Sequence, residues 1–155
     1  MRIDTQFSVF LVNKPGVLAQ VTSALAKAKV NIVALSMMES SEHGVLRVVC
    51  DNADKAREVL KRHHDHWTET EVLSLALRNE PGVLAGVAEE LAEAHINISY
   101  AYTSGGAPGG RTTCILKVAD EKRAMKLLEK FVADNAGTKT QKREGNVRRA
   151  PTMRR

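Results

Sequence analysis

Cysteine is scarce in this chain, and the two present, Cys50 and Cys114, stand inside apolar runs (VVC and CIL) with no CxxC pair. Small buried hydrophobes are expected of them rather than a disulfide. Long apolar runs are missing as well. Nothing approaches the roughly 20 apolar residues that a membrane-spanning helix needs. The opening MRIDTQFSVFLVNKPG carries Asp4, Gln6 and Asn13 through its apolar stretch and does not read as a secretion signal. A cytoplasmic protein without a membrane partner is expected. Catalytic signatures are absent too: no G-x-S-x-G, no Walker sequence, no nucleophile beside a base, no paired metal motif. The expectation is a non-enzyme with no cofactor.

Charge is present, but unevenly. The net charge is +5, yet Lys139–Arg155 alone holds seven basic residues against one acid, Glu144. The rest of the chain is therefore close to neutral. The tail GTKTQKREGNVRRAPTMRR has almost no apolar residues to offset the entropy of ordering, so residues 135–155 are expected to form a basic disordered tail.

The chain also repeats itself. Residues 13–32, NKPGVLAQVTSALAKAKVNI, return sixty-six positions later as NEPGVLAGVAEELAEAHINI, with twelve identities in twenty positions. Ahead of each copy lies a short apolar run, FSVFLV or VLSLAL, that reads as a strand. Inside each copy, Val17, Leu18, Val21, Leu25 and Ala28, and their counterparts Val83, Leu84, Val87, Leu91 and Ala94, recur at helical spacing. Pro15 and Pro81 suit a first helical turn, and Asn31 and Asn97 break the pattern before IVALSMM and ISYAYT resume as strands. GVLRVVC and TTCILKV follow as third strands. Second helices carry Ala56, Val59, Leu60 and His63, or Ala124, Leu127, Leu128 and Phe131.

Strand, helix, strand, strand, helix is most of a ferredoxin-like unit, which a fourth strand closes. The fold class expected is α+β: two βαββαβ units with antiparallel sheets and helices on one face. In the first copy the fourth strand comes from HDHWTETEV, which leaves almost no loop before the second copy. After Phe131 the second copy offers only VADNAG, so its fourth strand is expected to be missing or degraded. The domains expected are 1–71 and 72–134. The N-x-P-G-V-L-A helix opening and V/I-N-I strand start, found twice, resemble the ACT domain, a ligand-sensing module attached to amino-acid biosynthetic enzymes. The resemblance covers about Ile3–Val132 and implies a stand-alone tandem ACT protein that binds an amino acid or related small carboxylate, oligomerises, and answers to a regulated enzyme.

The turn chemistry fits an anionic ligand. A helix N-terminus leaves its first N–H groups unpartnered, its dipole favours negative charge, and glycine allows close backbone approach. The donors expected are those of Gly16, Val17 and Leu18, behind Pro15, and of Gly82, Val83 and Leu84, behind Pro81. Asn13, Asn31, Asn79 and Asn97 offer amide groups, with Ile32 and Ile98 beside the latter strand starts. The same residues also serve plain turn and capping roles, and an ACT-like unit that has lost its ligand would survive as an oligomerisation module.

Other features carry less. Consecutive His63, His64 and His66 with Asp65 diverge at a helix end and are not expected to hold a metal. Gly105–Gly110 lacks the Lys-Ser/Thr of a phosphate loop and reads as a mobile hairpin. Tyr100 and Tyr102 share one strand face, as core or as ligand wall. RNA-binding domains of this strand order stack bases on third-strand aromatics. GVLRVVC and RTTCILKV have none, which leaves nucleic acid only the basic tail.

Overall fold

The computed structural model describes residues 1–38, 43–64 and 66–136. Among these residues there are six strands, β1 (Arg2–Val12), β2 (Ile32–Met38), β3 (His43–Cys50), β4 (Trp67–Arg78), β5 (Ile98–Ser104) and β6 (Arg111–Val118), and four helices, α1 (Val17–Lys27), α2 (Ala53–His63), α3 (Val83–Glu93) and α4 (Glu121–Ala136). One antiparallel sheet in the order β2-β3-β1-β4-β6-β5 holds all six strands.

The copies are joined by two long strands used twice. β1 pairs with β3 through Gln6–Val12 and with β4 through Arg2–Val9. β4 pairs with β1 through Trp67–Ser74 and with β6 through Leu73–Arg78. Thr5 and Glu71, which hold the same place in the two copies, face each other in this register, so a pseudo-twofold axis passes between them. The first copy borrows the start of β4 as its fourth strand. The second borrows the start of β1, residues 2–5, and so α4 leads into no strand among the described residues. The boundary expected at 71/72 falls inside the uninterrupted β4.

Alternation along the strands puts one face under the helices. There, Phe7, Val9, Leu11, Leu46 and Val48 pack with Val21, Leu25, Ala56 and Leu60 in the first copy. Leu73, Leu75, Leu77 and Leu116 pack with Val87, Leu91 and Leu128 in the second. Cys50 and Cys114 are free thiols buried in these clusters, their pKa values pushed up to about 11, chiefly by burial. The helix-free face closes on itself: the edge strands β2 and β5 approach each other, and Ala34, Val49, Val72 and Ile115 bury together against Val33 and Tyr102.

Local chemistry departs from the expected reading at both helix ends. α1 begins at Val17, two residues later than Pro15 in the first helical position suggested, because Gly16 takes φ 90° and serves as N-cap; Gly82 does the same at φ 88°. At the other end the break belongs to Lys29 and His95, both left-handed (φ 57° and 56°), with Val30 and Ile96 N–H groups returning to the Leu25 and Leu91 carbonyls. This is a Schellman-type stop. Asn31 and Asn97 come after it, already tied toward β3 and β6: Asn31 N–H donates to Asp51 Oδ1 (2.9 Å), and the Asn97 carbonyl accepts from Ala119 N–H (3.3 Å).

Candidate functional site

Each helix-opening turn forms an open N-terminus. Gly16 and Gly82 cap their helices with no side-chain hydrogen bond, and no acid stands in either first turn. Val17 N–H reaches back to the Lys14 carbonyl and Val83 N–H to that of Glu80, both at 3.4 Å, while the Gln20 and Gly86 N–H groups begin the helical ladder. The donors left outward are therefore those of Gly16, Leu18 and Ala19, and of Gly82, Leu84 and Ala85. Both sets differ from the sequence reading in the same way, because Val17 and Val83 bond within their turns.

The fourteen residues singled out from the sequence fall into four places. Asn13, Pro15, Gly16, Val17 and Leu18 lie together at the end of β1. Asn79, Pro81, Gly82, Val83 and Leu84 lie together at the end of β4. Those strands run antiparallel, and Val12 and Arg78 each stand seven residues from the Thr5–Glu71 axis in opposite directions. At ~3.4 Å per residue the turns are about 45 Å apart along the strands. Asn31 with Ile32, and Asn97 with Ile98, sit at the far ends of α1 and α3, each an 11-residue helix and so roughly 16 Å from the turn. Ile32 and Ile98 begin the two outermost strands, beside Cys50 and Val118.

The two turns are not equivalent. Asn79 is consumed by the Gly105–Gly110 loop: its Nδ2 donates to the carbonyls of Gly106 (2.8 Å) and Ala107 (3.3 Å), its N–H to Gly110, and its carbonyl accepts from Gly109. The loop read as mobile is thus stitched down at four points. Glu80 beside it pairs with Arg78 at 3.0 Å. In the first turn Asn13 is exposed with no side-chain bond to a described residue, and Lys14 stands in the place of Glu80.

Sequence reading missed a polar cluster on the helix-free face. Gln6, fully buried, donates from Nε2 to Tyr100 Oη (2.8 Å) and Ser8 Oγ (3.3 Å), and accepts at Oε1 from Tyr102 Oη (3.0 Å). The Arg47 guanidinium lies 4.0 Å from the centre of the Tyr100 ring. Burial, then the neighbouring Tyr100, raises the Tyr102 pKa above the usual phenol range. These tyrosines clasp the first copy to the second. The sequence signals were two tyrosines on one strand face and a Gln in an apolar strand, more than ninety positions apart, with nothing local to join them.

A family model described as an ACT domain pair matches residues 1–139. A protein from Bacteroides thetaiotaomicron is similar in structure, with 30% identity and a TM-score of 0.75, over 83% of this chain and 88% of that one. The ligand-free regulatory subunit of aspartate kinase from Thermus thermophilus shares the fold at 17% identity and a TM-score of 0.61, over 84% of this chain and 97% of that one. So does a structure of aspartokinase alpha and beta subunits, at 21% identity and a TM-score of 0.57, over 83% and 91%. Among curated proteins, none matches the chain. No described helix is long and apolar enough to cross a membrane.

Proposed function

The chain belongs to the ACT domain pair family, and from that premise we propose that it is a non-catalytic sensor that binds an amino acid or related small carboxylate and passes the signal to a regulated enzyme. The observation that carries this reading is the first turn. Gly16 caps α1 with a backbone that leaves several N–H groups outward, Lys14 adds a positive charge, and Asn13 keeps its amide for an α-ammonium or carboxylate. The second turn has the same backbone, but Asn79 is spent on its own loop and Glu80 brings a negative charge. The first turn is the competent one in this reading. Because the turns stand at opposite ends of the sheet, one chain does not enclose a ligand between them, and a second chain of a homo-oligomer would supply the opposing wall.

Titration calorimetry against the twenty amino acids tests the function, followed by Lys14→Glu and Glu80→Lys. Lys14→Glu copies the second turn's charge at an exposed site, and it is expected to weaken the bound amino acid at least tenfold while Glu80→Lys leaves it unchanged. No binding by any amino acid sinks the sensor reading; equal effects of the two variants move the site off the first turn.

A further inference from the structure

We propose that the groove between α1 and α2 is a second ligand site, which takes an organic phosphate of nucleotide size. Two adjoining cavities of about 460 and 680 Å³ run along it, within the size range of small-molecule sites. Ala24, Lys27 and His63 line both cavities, which makes them one continuous trough. Its apolar surface is Ala19, Ala24, Ala28 and Val59, so a ligand there needs an apolar or aromatic body.

The charges of the lining do not cancel. Asp54 is taken up by Arg57 (2.6 Å), which also holds Glu69. Glu58 is shared between Lys61 (3.8 Å) and Arg62 (4.0 Å). Lys27 and Lys55 have no carboxylate within ion-pair distance among the described residues, and with Lys27, Lys55, Arg57, Lys61 and Arg62 set against Asp54, Glu58 and Glu69 the trough carries about two positive charges in excess along one face. A zwitterionic amino acid is neutral overall and matches that poorly, whereas a phosphate ester brings two or more negative charges on one small ligand. The chain's own basic tail is repelled by the same charges.

The second copy is an internal control. Its helices close where the first copy's stand apart: the Phe131 ring lies over Gly86, so near that a Cβ on Gly86 would meet it at 2.6 Å. The matching residues in the first copy are His63 and Gln20. Ser23, Ala24 and Lys27 are replaced in the second by Glu89, Glu90 and Glu93. In the second copy the helix pair is filled and its α3 side is acidic; in the first the pair is open and its lining basic.

Metal-free ATP is the probe, with tripolyphosphate and adenosine as its charged and apolar halves, titrated by calorimetry into the full chain. One ATP is expected to bind per chain, more than tenfold tighter than either half and more weakly as salt rises. Lys27→Glu is expected to cost at least tenfold. The double variant Gln20→Gly/His63→Phe, which rebuilds the second copy's closure, is expected to abolish binding while the thermal midpoint stays near that of the parent. ATP affinity unchanged in both variants overturns the proposal and assigns any binding to the tail. Tripolyphosphate binding as tightly as ATP overturns the apolar floor. No ATP saturation, together with self-association that Lys27→Glu abolishes, overturns it in favour of a second copy docking its acidic α3.

Discussion

Where α1 and α2 leave an open trough, α3 and α4 meet through Phe131 on Gly86, and the same contrast recurs around the pseudo-twofold axis. Phe10, Val45 and Met38 form a cross-strand row on the helix-free face of the first copy, with Phe10 47% and Met38 50% exposed. The matching row in the second copy is Ala76, Thr113 and Ser104. Arg57 and Glu69 form an ion pair in the first copy; Met125 and Ile3, in the matching places, pack against the second copy's core. Duplication kept the backbone and let the side chains part: the first copy faces outward with charge and apolar surface on offer, and the second is closed. Two turns that look alike in sequence therefore need not do the same work.

The strongest way to break this comparison is to ask whether the copies are separable at all. Phe7 is fully buried in the first copy, edge-on to Trp67 with ring centres 5.7 Å apart. Phe7→Ala is expected to cost about 3–5 kcal/mol. Because β1 and β4 serve both copies in one sheet, Trp67 fluorescence and far-ultraviolet circular dichroism should report one coincident urea transition, displaced as a whole. Two transitions, with only the first moved, would show that the shared strands do not couple the copies.

A smaller effect sharpens the contrast between the helix pairs. Gly86→Ala places a methyl 2.6 Å from the Phe131 ring and is expected to destabilise by about 1–3 kcal/mol as the ring is displaced. Gln20→Ala, at the matching exposed site, should stay within about 0.5 kcal/mol. Equal costs in urea unfolding would mean that the second pair is no more tightly closed than the first.

The smallest effect concerns acid. Glu69 is held below the usual carboxylate range, first by its hydrogen bonds from Arg57 Nε and Nη2 (2.6 and 2.7 Å). With its folded pKa lowered, its contribution to stability is present above the ordinary carboxylate pKa and is lost as pH falls through the lowered value. Both partners are about a third exposed, so the loss should be under about 1 kcal/mol. Glu69→Gln is expected to flatten the acid limb of a stability–pH curve by that much; a variant curve parallel to the parent's would remove the pair from the ledger of differences between the copies.

Much of this architecture is legible in the sequence because helix period, strand alternation and turn residues are local signals, written twice. The fourth strand of the second copy was not legible. It was sought downstream of Phe131, and it lies at residues 2–5, joined only by the register of β1 on β4. The curled helix-free face was equally hidden, since Gln6 finds Tyr100 and Tyr102 through the whole sheet order. At the turns the helix starts were legible and the backbone conformations were not. Glycine at a helix start reads as permissive, yet at φ near 90° it is required, and valine at Gly16 or Gly82 would strain the backbone as well as crowd a ligand. The fate of Asn79 depended on a glycine loop more than twenty-five positions away.

The reciprocal lending of strands also sets a timetable for synthesis. Residues 2–5 leave the ribosome well ahead of their partners, Glu71–Ser74, which follow about seventy residues later, a delay on the order of several seconds at typical elongation rates. The second copy then receives, as its fourth strand, a segment made before any of its own residues. A fusion partner or bulky tag placed ahead of Met1 would accordingly burden the later-made copy, whose own coding region lies far downstream, and a truncation meant to trim a ragged start would remove the end of the other domain.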